Sequence, residues 1–230
     1  MKRVTKGQRR YKAHTTNRHH GQALSRDYWA NADSLQGTYN AVYESNTVDL
    51  ANRHLLLVHS DGSCIRNGKP SARASIGVYF GPNSRYNVAE PVPQVLVQNS
   101  EVAELWAALQ ALRKGRNVLR KVGAEGIVLA SDAECVCKTM TDQIYTWRAN
   151  GFRDVRGEPI RHHQLFRQLS NVVEILERDK KQAMFCKVNR MFNKEADKLA
   201  KEVHKDVGRW LNGVYLTDYE QLVRYASLPK

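Results

Sequence analysis

The 230-residue chain carries 36 Lys and Arg against 23 Asp and Glu, a formal net charge of +13, and 42% of its residues are hydrophobic. That length suits one ordinary domain with tails or two small ones, and the hydrophobic share excludes a wholly disordered chain. The basic excess points to a polyanionic partner, nucleic acid before a membrane surface. No apolar run resembles a signal peptide or a membrane span, so no membrane association is expected.

Residues 1–50 differ from the rest. Before Asp27 there is no acid, whereas Lys2, Arg3, Lys6, Arg9, Arg10, Lys12, Arg18 and Arg26 are all basic. Apolar residues are sparse there and lack a helical period, so 1–25 reads as a disordered basic arm within an extension that reaches residue 50. The missing amphipathic face argues against a mitochondrial presequence and leaves nucleus or cytoplasm as the expected compartment. Residues 51–207 form the expected domain. HLLLVHS (54–60) is a strand that ends at Asp61, ASIGVYFG (74–81) is a second, and YNVAEPV (86–92) is a third, irregular because of its prolines. SEVAELWAALQALRKG is a helix with Ser100 as N-cap and Gly115 at its end. Its residues Val102, Leu105, Trp106, Leu109 and Leu112 follow the 3.6-residue period. GIVLAS (126–131) is a continuous apolar run, hence a central strand. Helices follow at 133–147 and 162–179, then the short strand AMFCKV, then the helix NKEADKLAKEVHK with Asn193 as N-cap. The tail, 208–230, holds TDYEQLVRY, read as one more short helix. The whole is a mixed sheet covered by helices.

The cysteines, Cys64, Cys135, Cys137 and Cys186, form no CxxC pair, which favours a reducing intracellular compartment with thiols packed as small hydrophobes. His162 and His163 lack carboxylates at ligand spacing and are read as solvated or capping.

Four acids stand out by position. Asp61 ends the first strand, Asp132 ends the central strand, and Glu104 and Asp197 lie about one turn into their helices. Taken singly, each has an ordinary explanation as a turn residue, a cap or a dipole partner. Strand ends and following helix starts converge on one rim of an open sheet, however. If the first and central strands are parallel neighbours, Asp61 and Asp132 stand side by side. Carboxylates so crowded repel one another unless divalent cations neutralise them, and Mg²⁺ is the hard, oxygen-preferring ion for such a set.

The ordered stretches HSDGSCIRNG, SIGVYFGPNSRYNVAEPV, SEVAELWAALQAL, LASDAECV, WRANGFRDVRGEPI and NKEADKLA resemble the ribonuclease H family in its type 1 cellular branch, from about Leu55 to Lys205. The resemblance implies an α/β fold, a ribonuclease-H-like mixed five-stranded sheet flanked by helices. It implies hydrolysis of the RNA strand of RNA–DNA hybrids by a two-metal-ion mechanism, with Mg²⁺ or its substitute Mn²⁺, leaving 3′-hydroxyl and 5′-phosphate ends. The partner it implies is the hybrid, met by a monomer that needs no small-molecule cofactor. Asp61, Glu104, Asp132 and Asp197 take the catalytic and metal-binding positions. Gly62, Ser63 and Asn67, with Asn99 and Ser100 before Glu104, fall where the family lines the minor groove. Trp147 matches an aromatic of the DNA-gripping segment, with anchoring of that loop as its other reading, and Arg148, Arg153, Arg156 and Arg161 surround it.

Two departures stand out. Glu101 places an acid where relatives read sugars, and it faces phosphates unfavourably. The segment KVNRMFNKEAD is shorter than the family's flexible loop and lacks its histidine; Arg190 stands nearest the vacancy and is expected to bind phosphate. Competing readings are another nuclease of the same fold, a non-catalytic or weakly active hybrid-binding module, and a domain inherited from a reverse-transcribing element. The ordered motifs oppose the first and the intact quartet opposes the second. A chain of this length without a polymerase segment opposes the third.

Overall fold

The structure, a computed structural model, describes strand 47–49 and residues 54–205. The extension up to residue 46 and the tail from 206 lie outside the described residues, and with them the expected basic arm and the expected helix in TDYEQLVRY. Strand β1 (Thr47–Asp49) falls inside the segment read as extension and pairs antiparallel with the start of β2.

The main sheet has five strands in the order β4-β3-β2-β5-β6: β2 (His54–Ile65), β3 (Arg73–Tyr79), β4 (Val88–Pro91), β5 (Gly126–Ser131) and β6 (Gln182–Lys187). β2, β3 and β4 form an antiparallel meander, while β2, β5 and β6 are parallel, so β2 is the seam of a mixed sheet. Alternate residues of β2 serve two cores, as expected of a strand covered on both faces. Leu56 and Val58 join the larger core with Leu105, Leu109, Ile127 and Leu169. Leu55 and Leu57 join a smaller one with Val128, Ala130 and Met184, against which Phe192 packs.

Helix α1 (Ser100–Val122) follows β4. Its N-cap is Asn99, not Ser100: the Asn99 side chain accepts from the Val102 amide at 2.7 Å. Nor does it end at Gly115. Val118 and Leu119 continue the buried stripe for two more turns, and the chain leaves through Gly123 in the left-handed region, φ 67°. Gly115 instead lies against Ile127, where a Cβ would meet the isoleucine side chain at 3.0 Å.

After β5, the expected second helix is broken into α2 (Glu134–Lys138), one π turn (Thr139–Gln143) and α3 (Ile144–Ala149). Helix α4 (His163–Arg178) precedes β6, and a single 3₁₀ turn (Arg190–Phe192) leads into α5 (Lys194–Glu202). Helices α1 and α5 press on opposite faces of the sheet at two glycines. A Cβ on Gly62 would stand 2.4 Å from the Glu104 amide nitrogen, and one on Gly77 would stand 2.0 Å from the Ala196 carbonyl oxygen. Any larger residue at either position has to push a helix away.

Candidate active site

Register explains how two strand carboxylates meet. The parallel pairing of β2 with β5 ends at His59 opposite Ala130, and β2 then runs on paired only with β3, Asp61 facing Gly77. Asp61 is therefore not at the end of its strand but where β2 loses its β5 neighbour. Asp132 lies two residues beyond Ala130, as Asp61 lies two beyond His59, so the two acids come level across the opening seam. The residue that joins them is Asn193. Its amide nitrogen donates to Asp132 Oδ1 at 2.7 Å, to the Ser60 carbonyl at 3.0 Å and to Asp61 Oδ1 at 3.4 Å.

Asn193 holds the expected N-cap position of α5, though its side chain makes no cap bond there, and the residue is 1% exposed. Its carbonyl oxygen meets His59 Nδ1 at 3.3 Å, so with the amide hydrogens committed to oxygen atoms, His59 carries its proton on Nδ1. Burial lowers the pKa of His59 to about 4, so the ring that orients Asn193 is neutral.

The two helical acids reach the same place through the glycine contacts. Glu104 comes down α1 against Gly62, whose amide donates to Glu104 Oε2 at 3.1 Å. Asp197 sits in the first turn of α5, where Arg190 Nη2 lies 3.2 Å from Oδ1 and Lys201 Nζ lies 2.7 Å from Oδ2. Burial first, then the Glu104 charge and further contributions from Asp132 and Asp197, push the Asp61 carboxyl up to about 9. Burial and Asp132 raise Glu104 to about 8, against smaller opposing pulls from the Gly62 amide and Arg190. All the donors are carboxylate oxygens, held where a proton or a cation must offset their charge, which is the chemistry a hard divalent ion fits. Among the described residues no three His, Cys, Asp or Glu side chains stand ready to hold a metal as they are placed. Asn193 takes Oδ1 of both Asp61 and Asp132, while Arg190 and Lys201 each meet a different oxygen of Asp197.

The proposed substrate rim is only partly assembled by side chains. Asn67 and Ser100 bond each other twice, Nδ2 to Oγ and Ser100 N to Oδ1, both at 3.3 Å, and stand exposed beside the Asn99 cap. Gly62 faces α1, which turns its neighbour Ser63 to the opposite face of the sheet, where its hydroxyl meets His204 Nε2 at 3.2 Å. Trp147 packs edge-on against Phe166 with ring centroids 5.0 Å apart, the geometry of a loop anchor. Arg148 turns inward to Ser170 and to Glu174 at 3.1 Å. Arg161 pairs with Glu101 at 3.1 Å, and Arg153 bonds Gly157 O at 2.6 Å within its own loop. Arg156 is exposed.

His162, read as solvated or capping, stands at the N-cap position of α4 without a side-chain cap bond. Its side chain is 12% exposed and Nε2 lies 3.4 Å from Glu101 Oε2, an ion-pair distance without hydrogen-bond alignment.

The short segment before α5 is as tight as its length implies: Asn189 Oδ1 accepts from the Met191 amide at 3.1 Å and closes the 3₁₀ turn. Arg190, on that turn, is the group that reaches Asp197 from the segment before α5. Sequence reasoning missed Asn193, His59 and Lys201 as members of the site. The first two are polar residues inside otherwise apolar or capping patterns, and only the tertiary contact gives them a role.

Residues 53–205 match the family model described as RNase H. Ribonuclease H1 of Mus musculus is 31% identical over 151 residues, which cover 64% of this chain and 49% of that protein. Ribonuclease H1 of Homo sapiens is 29% identical over 149 residues with the same coverage. The chain thus spans about half the length of these mammalian relatives. Among solved structures, a foamy viral protease-reverse transcriptase in complex with RNA/DNA hybrid aligns with a TM-score of 0.51 at 21% identity, over 64% of this chain and 19% of that one. At that identity the likeness is one of fold.

Proposed function

The chain belongs to the ribonuclease H family, and from that premise we propose that it is an endonuclease that hydrolyses the RNA strand of RNA–DNA hybrids, leaving 3′-hydroxyl and 5′-phosphate ends. The observation that carries the reading is the convergence of Asp61, Glu104, Asp132 and Asp197, from two strands and two helices, at the seam where β2 and β5 part.

Asp61, Glu104, Asp132 and Asp197 would hold two Mg²⁺ ions, with Mn²⁺ able to substitute. When bound, such ions polarise the phosphate and activate water for in-line displacement. The protein's own part is positioning. His59 fixes Asn193, and Asn193 holds Asp61 and Asp132 in register. Gly62 aims Glu104 through its amide. Arg190 is held protonated by Asp197, so it serves as a phosphate ligand and not as a base. Asn67, Asn99, Ser100 and the backbone at Gly62 and Ser63 supply donors and acceptors at the height where a ribose 2′-hydroxyl distinguishes RNA from DNA. Arg153 and Arg156 offer charge to the phosphates of the paired strand.

The test is a cleavage assay on end-labelled hybrid, duplex DNA and duplex RNA, each with Mg²⁺, with Mn²⁺ and with chelator. Cut RNA in the hybrid alone, lost with chelator, is expected. Hybrid bound but uncut in every metal would leave the non-catalytic binding module as the function.

A further inference from the structure

Glu101 is an acid in the first turn of α1, next to the proposed substrate rim of Asn99 and Ser100 and in a protein of net charge +13. Left unpaired there, it would repel phosphates. It is not unpaired. Arg161 Nη1 stands 3.1 Å and His162 Nε2 3.4 Å from the same oxygen, Oε2. Both partners come from one place, the base of the loop between α3 and α4.

That loop, residues 150–161, is a small hairpin. The Phe152 amide donates to Trp147 O at 2.7 Å, the Ile160 amide donates to Phe152 O at 3.0 Å, and Arg153 bridges to Pro159. Phe152 is buried, while residues 153–159 are exposed, Val155 fully. The chain enters through Gly151 and Phe152 at φ 70° and 62° and leaves through His162 at φ 57°. A bulky residue such as Phe adopts that region where its surroundings fix it, and His enters it more readily. At Phe152 the surroundings are the core. At His162 they include the half-buried Glu101 carboxylate, and His162 Nε2 has no hydrogen-bond partner.

We propose that Glu101 is a positioning residue that clamps the base of the basic loop to the N-terminus of α1 through Arg161 and His162. The clamp sets the distance between the phosphate-gripping Arg153 and Arg156 on the loop and the sugar-reading Asn67, Asn99 and Ser100 on the rim. The acid therefore helps a polyanion to bind although it carries the polyanion's own sign. This rests on the nucleic-acid reading above. Exposed ion pairs contribute little to overall stability, and Arg161 is 71% exposed, so the effect is expected in the position of the loop and not in the stability of the fold.

The test uses the full chain and Glu101→Gln, Arg161→Gln and the double variant. The first measurement needs no nucleic acid: limited trypsin digestion, with cleavage after Arg153 and Arg156 followed by mass spectrometry. Cleavage about threefold or more faster in both single variants, with the double no worse than the worse single, is expected of a shared contact. The second is affinity for an RNA–DNA hybrid in chelator, which blocks cleavage. Glu101→Gln is expected to weaken binding about three- to tenfold. If Glu101 merely repels phosphates, the same variant binds more tightly and its loop is cut no faster, which overturns the proposal. Faster cutting with unchanged affinity overturns its functional half. Failure of the parent to bind hybrid at all counts against the nucleic-acid reading and leaves the protease result to judge the clamp.

Discussion

Asp61 is 3% exposed and shares its surroundings with Glu104, Asp132 and Asp197. Its pKa is raised from 3.8 to about 9 and that of Glu104 from 4.5 to about 8. An acid whose folded pKa lies above its unfolded one favours folding while protonated. The contribution is complete below pH about 4 and is lost as pH rises toward 8–9. In chelator, the melting temperature is therefore expected to fall between pH 5 and 9, and Asp61→Asn is expected to flatten that fall. Calorimetry across the range, for parent and variant, reads both; a parallel fall in the two proteins would remove Asp61 as its source. The same variant is expected to abolish hybrid cleavage while leaving hybrid affinity within about twofold, since basic residues supply most of the affinity for a polyanion. At the neighbouring position, His59→Phe keeps a ring in the core and removes the donor that holds Asn193. A buried hydrogen bond of this kind contributes about 0.5–1.5 kcal/mol. Cleavage is expected to fall more than stability does, and His59→Gln, which keeps a donor, is expected to recover part of it. Equal rates in His59→Phe and parent would make His59 a packing residue only.

At the scale of elements, the site depends on how close two helices come to the sheet. A Cβ at Gly77 would meet backbone atoms of α5, Ala196 O at 2.0 Å and Ala200 N at 2.6 Å, and backbone cannot swing aside as a side chain can. Gly77→Ala therefore has to lift α5, which carries Asp197 and follows Asn193. Overpacking costs about 1–3 kcal/mol, and at roughly 2–4 °C per kcal/mol for a domain of this size the melting temperature is expected to drop by several degrees. Cleavage is expected to fall further than unfolding explains, because Asp197 moves with the helix. A Gly77→Ala protein with parental activity would show that α5 does not set the position of Asp197. The α1 side is anchored at its start, where Asn99 caps the helix. Asn99→Ala costs about 1 kcal/mol by loss of that cap, a structural effect to subtract before Asn99 is credited with any contact to a sugar.

For the whole molecule the relevant quantity is charge. Removing residues 1–26 removes Lys2, Arg3, Lys6, Arg9, Arg10, Lys12, Arg18 and Arg26 and no acid. Each phosphate contact contributes roughly 0.9 to the slope of log affinity against log salt on a duplex. Truncation is expected to weaken hybrid binding and flatten that slope by several units, with the melting temperature unchanged. An identical slope would show that these residues do not meet nucleic acid.

The order of strands β2–β6 and of the helices between them was legible in the sequence, as were four acids placed at strand ends and helix starts; β1 was not. An apolar run closed by a carboxylate, and a helical stripe with an acid beside it, are local patterns set by the periods of strand and helix. The sequence also determined the shortened segment that brings Arg190 to the last acid. Only the tertiary structure decided the rest. Local signals misplaced the end of α1, because Gly115 packs on Ile127 while the αL glycine is Gly123. They placed Asn193 and His162 at helix starts, where both stand, but did not show what the two side chains meet there, because those neighbours lie far away in the chain. Asn193 found Asp61 and Asp132, 132 and 61 residues away, and His162 found Glu101. The raised pKa values of Asp61 and Glu104 are likewise not properties of any stretch of sequence. They arise because parallel pairing brings Asp132 level with Asp61, and because two glycines let α1 and α5 close on the sheet from opposite sides, crowding carboxylates where water cannot screen them.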